Sequence, residues 1–307
     1  MSDLDKYRTE REARLGSRGN PQRRGPGING YLGSSGSGAG AATAAPAEHH
    51  RRAGRSADGV VVVGVEEGPS SYPAVDQAAV EAALRGWKLR LVHVQRAGAG
   101  RHPEPTAGSR LLERLEERVH ACSPAVPVST RLVSGPAVPT LLDEARDATL
   151  LVVGHQHGAA AVLGGAGVGD RVAAQHNGPV LVVRVPGWPP GPDPARRPVV
   201  AGVAAVRRST AAAGFALAEA RARGCDLILL HAERNALPGD RTETVDGVRI
   251  RHRALPADPA QALIEASGRA AAVVVGRHGP TSLPGALLGP VSRAMVRGAL
   301  CPVFLVG

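Results

Sequence analysis

The chain has 307 residues, 43% hydrophobic and only 2% aromatic, with a formal charge of +10 carried almost wholly by arginine. No stretch approaches the ~18 apolar residues needed to cross a membrane, and Cys122, Cys225 and Cys301 are too scattered for a disulfide framework or a cysteine zinc site. The shortage of aromatic rings removes the stacking platforms of single-strand and RNA binders. Neither a membrane nor a nucleic acid is therefore an expected partner.

Residues 1–57 hold ten basic and five acidic side chains, about half of the positive excess. The Gly/Ser/Ala-rich "GYLGSSGSGAGAATAAPAEHH" buries too little apolar area to offset its ordering entropy, so a disordered basic tail is expected over 1–57. Its charged start, "MSDLDKYRTEREARLGSRG", has no apolar core of a secretory leader, which points to the cytoplasm.

From Val60 onward, apolar runs alternate with helical patterns. "GVVVVGV" (59–65) reads as a strand, "SSYPAVDQAAVEAALRG" as a helix, "KLRLVHV" (88–94) as a strand, and "SRLLERLEERVHA" as an amphipathic helix. "VPVSTRLV", "AVPTLLDEARD", "TLLVVG" (149–154), "GDRVAAQH" and "PVLVVRV" continue the alternation. Strands this uniformly rich in Val and Leu imply a parallel sheet covered on both faces. A proline-rich linker, 187–197, separates a first domain, 58–186, from a second, 198–307, in which the pattern restarts.

"PVVAGV" matches the first strand, "CDLILLHA" matches "KLRLVHV", "AAVVVG" matches "TLLVVG", and "CPVFLVG" matches "GPVLVVR". This is an internal duplication. His231 lies 138 residues beyond its counterpart His93, but Gly276 lies only 122 beyond Gly154. The second half has therefore lost sixteen residues, where "ERNALPGDRTETVDGVRIRH" replaces the amphipathic helix with two strands joined by a turn. One face of its sheet is expected to be thinly covered.

The loop after each fourth strand is glycine-rich: "GHQHGAAAVLGGAG" (154–167) and "GRHGPTSLPGALLG" (276–289). With the histidine-terminated second strands, the "GPA" and "DPA" helix starts and the final "CPV" strand, these loops resemble the universal stress protein family in tandem form, over nearly all of 59–307. The resemblance implies, in each half, a doubly wound parallel five-stranded sheet of order 3-2-1-4-5, adenine nucleotide alpha hydrolase-like. It also implies an intramolecular pseudo-dimer paired through the final strands, open to further homo-oligomerisation and to a protein partner of unknown identity.

That strand order places a ligand crevice where the topology reverses. In nucleotide-binding members an aspartate after the first strand holds the nucleoside. Amides of a G-x2-G-x9-G-(S/T) loop, with the hydroxyl that follows, hold the phosphates of ATP. The matching positions are Val65, Glu66, Val94, Val153, Gly154, His157 and Gly167 in the first half, and Val275, Gly276, Gly279, Gly289 and Val291 in the second. The first half has Glu66 for the aspartate, His157 for the middle glycine and Val168 for the hydroxyl residue; the second keeps its glycines but has Ala204 and Pro290. His155, His157, Arg277 and His278 are candidates to meet phosphates instead.

"HQH" (155–157) lacks a third ligand, so no metal is expected, and these loop histidines read as solvent-facing. His93 and His231 end matched strands and read as structural. No G-x4-G-K-(S/T), G-x-S-x-G or HExxH motif occurs, and the chain has only Lys6 and Lys88, neither near a glycine loop, so no enzyme is expected. Two readings follow: a stress-type regulatory protein binding ATP weakly in a degenerate pocket, or an interaction module that has lost its ligand and acts through its surface and basic tail.

Overall fold

The computed structural model describes residues 59–95, 107–155, 167–184, 197–204, 211–278 and 288–307. The basic tail, most of the proline-rich linker, His157 and Gly279 lie outside these residues.

The first half runs β1 (Val60–Val65), α1 (Ser71–Arg85), β2 (Lys88–Gln95), α2 (Ala107–Cys122), β3 (Val128–Ser134), α3 (Ala137–Glu144), β4 (Leu150–His155), α4 (Val168–Gln175) and β5 (Val180–Arg184). The second runs β6 (Val199–Gly202), α5 (Ala211–Arg223), β7 (Leu227–Ala232), β8 (Gly239–Val245), β9 (Val248–Leu255), α6 (Pro259–Ser267), β10 (Ala272–Gly276), α7 (Pro290–Gly298) and β11 (Val303–Val306).

All strands join one eleven-stranded sheet, ordered β3-β2-β1-β4-β5-β11-β10-β6-β7-β9-β8. Each half is doubly wound and parallel in the order 3-2-1-4-5, with β8 added antiparallel to β9 at the outer edge of the second half. The β8–β9 turn is Asp246-Gly247, with φ of 48° and 81°. Val245 pairs directly with Val248, so the chain reverses in two residues, both at positive φ as the twist of a hairpin demands.

The period-2 alternation of the strands divides the core. Val61, Val63, Leu89, Leu91 and Val152 face α1 and α2, with Ala216 of α5 in the same cluster. Val62, Leu151 and Val153 face the other layer with Leu141 of α3, Val172 of α4, Leu263 of α6 and Met295 of α7. Both faces of the central strands are dry, which is why they read as unbroken valine and leucine runs. α1 and α5 end on glycines in left-handed conformation, Gly86 (φ 69°) and Gly224 (φ 64°), 138 residues apart, so the duplication reaches down to the caps.

The halves meet where β5 pairs antiparallel with β11, Val182 opposite Val303 and Leu181 opposite Phe304. Because these strands run in opposite directions, the carboxyl ends of the two parallel units face opposite margins of the common sheet. Above the junction, α1 and α5 bring together Glu81, Arg85, Glu219 and Arg223. Arg85 bonds Glu81 (2.7 Å) and Glu219, while Arg223 bonds Glu219 and Glu81. The result is an alternating ring of four charges, with Glu81, Glu219 and Arg223 at most 4% exposed. Burial pushes the Glu219 carboxyl up, but the two guanidiniums outweigh it and hold the group below the usual carboxylate range.

Candidate functional site

The crevice of the first half lies between the ends of β1 and β4, which are paired neighbours. Glu66 follows β1 directly. Its amide donates to Ser71 Oγ (2.9 Å), its carbonyl accepts from the same hydroxyl (2.8 Å), and its carboxylate accepts from Ser70 Oγ (3.0 Å). The acid that the resemblance sets against a nucleoside is thus drawn onto the start of α1.

Gly154 sits against that same helix start. A methyl group on it would lie 3.1 Å from the Ser70 carbonyl oxygen, and one on Gly169, in the first turn of α4, would lie 2.6 Å from the Gly154 carbonyl oxygen. Packing alone requires the glycine at 169 and closely confines the one at 154, whatever the loop binds. Gly167 is the extended N-cap of α4 (φ −65°, ψ 173°). Its amide donates to Asp170 Oδ2 (3.3 Å), and Asp170 Oδ1 accepts from His155 Nδ1 (3.0 Å). Burial raises the Asp170 carboxyl, but the bond and charge of His155 prevail and keep it below its ordinary value. A fixed anion therefore occupies the helix end where a phosphate would sit. His155 is only 8% exposed, at the end of β4 and locked to Asp170; it is neither a solvent-facing loop histidine nor turned toward a phosphate.

The second half is arranged differently. Gly276 ends β10, Gly289 is the extended N-cap of α7 (φ −64°, ψ 162°), and Pro290 opens the helix. No acidic residue stands in the first turn of α7. Ser292, at the position of Asp170, donates to the Gly276 carbonyl (2.6 Å), and the Gly289 amide donates to the Arg277 carbonyl (3.0 Å). Arg277 is not at the crevice mouth as expected. It is 5% exposed and bonds the Gly178 carbonyl of the first half. Arg184 makes the reciprocal crossing to the Ala299 carbonyl (2.9 Å).

Val65, Val153 and Val275 are core residues, while Val94 and Val291 are half-buried beside the cores. His93 and His231 donate from Nδ1 to the carbonyls of Val65 (2.9 Å) and Val203 (3.2 Å), tying the second strand of each half to the first. Among the described residues no three His, Cys, Asp or Glu side chains gather as a metal site, and no helix is long and apolar enough to cross a membrane.

Sequence reading missed Asp170. The signal was present, since an acid three residues after a helix-opening glycine reaches back to the N-cap amide. The crossings of Arg277 and Arg184 carry no local signal at all.

Two doubly wound units in tandem, each with a glycine-bounded helix end at its topological switch point, define the class. The family model for the universal stress protein family matches residues 59–184 and 232–307. A universal stress protein of Mycobacterium tuberculosis is 30% identical over 303 residues, spanning 80% of this chain and 94% of its own length. Another from Mycolicibacterium smegmatis is 29% identical over 286 residues, spanning 80% and 96%. The crystal structure of a universal stress protein from Archaeoglobus fulgidus superposes with a TM-score of 0.58 at 14% identity, covering 80% of this chain and 95% of that one. The chain belongs to the universal stress protein family, in its tandem form.

Proposed function

We propose that this chain is a non-catalytic, cytoplasmic regulatory protein of the stress family, a pseudo-dimer within one polypeptide. In this reading it takes adenine nucleotide weakly, and through its second half. The observation that carries the reading is the contrast between the two helix ends: α4 presents Asp170 to its own N-cap amide, whereas the first turn of α7 holds no acid. A triphosphate is repelled at the first and tolerated at the second. Weakness follows from Pro290, which supplies neither a hydroxyl nor an amide hydrogen, and from Ala204, which supplies no carboxylate for the nucleoside.

Calorimetric titration of the full chain with Mg-ATP is expected to give millimolar affinity. Pro290→Ser, which restores a hydroxyl and an amide at the first helical position, is expected to tighten it about tenfold, the worth of one charge-assisted hydrogen bond. Absence of heat from both proteins would sink the nucleotide reading. The second reading, an interaction module without ligand, would then stand, supported by the N-cap amides of Gly167 and Gly289, both already bonded within the chain.

A further inference from the structure

A cavity of about 430 Å³ opens between the β1–α1 loop and the first two turns of α2. Leu111, 3% exposed, forms its apolar floor. The Tyr72 ring stands at its side, and Arg110 and Arg114, one helical turn apart, line the wall formed by α2. Neither arginine makes a hydrogen bond or ion pair with a described residue. One turn further, Arg118 is fully engaged: Nε and Nη2 each bond Asp76 at 2.7 Å, and its guanidinium lies 5.4 Å from the Tyr72 ring centroid. The ring is thus held in place and the nearby acid neutralised, leaving two unspent cations over an apolar floor. Glu67, on the opposite wall, supplies one carboxylate.

Residues three or four apart on a helix have Cβ atoms about 5–6 Å apart, a span that one tetrahedral oxyanion bridges between two guanidiniums. Glu67 works the other way. It repels a compact anion and accepts hydrogen bonds from hydroxyl or amine donors on a longer one. Among the described residues the second half has no helix equivalent to α2: between β7 and β9 the chain forms β8, which extends the outer edge of the sheet. Of the glycines that bound the two crevices, the described Gly154, Gly167, Gly276 and Gly289 do not line the cavity.

We propose that this cavity is a binding site, distinct from the two inherited crevices, for a small organic phosphate bearing hydroxyl groups. Arg110 and Arg114 hold the phosphate, Leu111 and Tyr72 pack the body, and Glu67 accepts from the hydroxyls. Glucose 6-phosphate, glucose and inorganic phosphate serve as probes in calorimetric titrations of the full chain. The wild type is expected to bind glucose 6-phosphate more tightly than inorganic phosphate, and glucose least.

The double variant R110Q/R114Q is expected to lose at least tenfold for both phosphates. Its melting temperature should stay unchanged, since both side chains are exposed and, among the described residues, unpaired, and so should its affinity for ATP. Glu67→Gln is expected to improve binding of inorganic phosphate and to narrow the preference for the sugar phosphate. Unchanged affinities in R110Q/R114Q, or no binding of any probe by the wild type at millimolar concentration, would overturn the proposal. Loss of ATP affinity along with glucose 6-phosphate would overturn its independence from the inherited crevices.

Discussion

His176 follows α4, 7% exposed, and its Nε2 has no hydrogen-bond partner. Burial first, and the nearby Arg277 guanidinium second, push its pKa down from 6.5 to about 4. Between those two values the unfolded chain binds the proton and the folded one does not, so stability falls as pH drops from 6.5 toward 4. The shift amounts to about 3 kcal/mol. His176→Gln, compared with wild type by urea unfolding at several pH values, is expected to flatten this part of the profile. An equally steep fall in the variant would show that the acid sensitivity lies elsewhere. At this scale residue types were legible and their uses were not. Arg277 looked like a phosphate ligand because it adjoins a glycine loop, yet its guanidinium is spent on a carbonyl 99 positions away in sequence.

Among the elements, α1 and α5 carry the clearest consequence. Their four-charge ring is almost without water, so removing one member leaves an uncompensated charge in a dry contact. Glu219→Ala is expected to cost about 3–5 kcal/mol, read from the denaturation midpoint, because Arg85 and Arg223 would then share one carboxylate. Replacing all four residues with apolar side chains of similar volume should cost much less, since no charge is stranded. A loss from the quadruple variant as large as that from Glu219→Ala would refute this account of the ring. The i, i+4 pairs Glu81/Arg85 and Glu219/Arg223 were visible in sequence at equal offset, but such pairs usually lie in solvent. Only the docking of α1 on α5 buries them. The hairpin β8–β9 shows the opposite case. Two strands and a turn were readable from "TETVDGVRI", because Asp-Gly between alternating residues specifies its geometry locally.

At the level of the whole molecule, the halves are continuous. Backbone pairing of β5 with β11, the crossings of Arg184 and Arg277, and the charge ring all bridge the same seam. A single cooperative transition is therefore expected. In a Trp188→Phe background, Trp87, buried in the first half, reports on that half alone. Its fluorescence and far-ultraviolet circular dichroism should change at the same urea concentration. Separated midpoints would mean that the seam is too weak to couple the halves.

The alternation of apolar runs and helical spacing determined the two layers of helix, the parallel strands, the duplication and the missing helix. Each of these depends on which face of a short segment is greasy or on which turn its residues permit, and a local pattern records both. Only the tertiary structure decided that Asp170 fills the first helix end, that Arg277 leaves the second crevice, that four charges share one dry contact, and that Arg110 and Arg114 stand over a cavity. Those outcomes depend on distances between segments far apart in the chain, set by how sheets and helices pack and recorded in no single stretch of sequence.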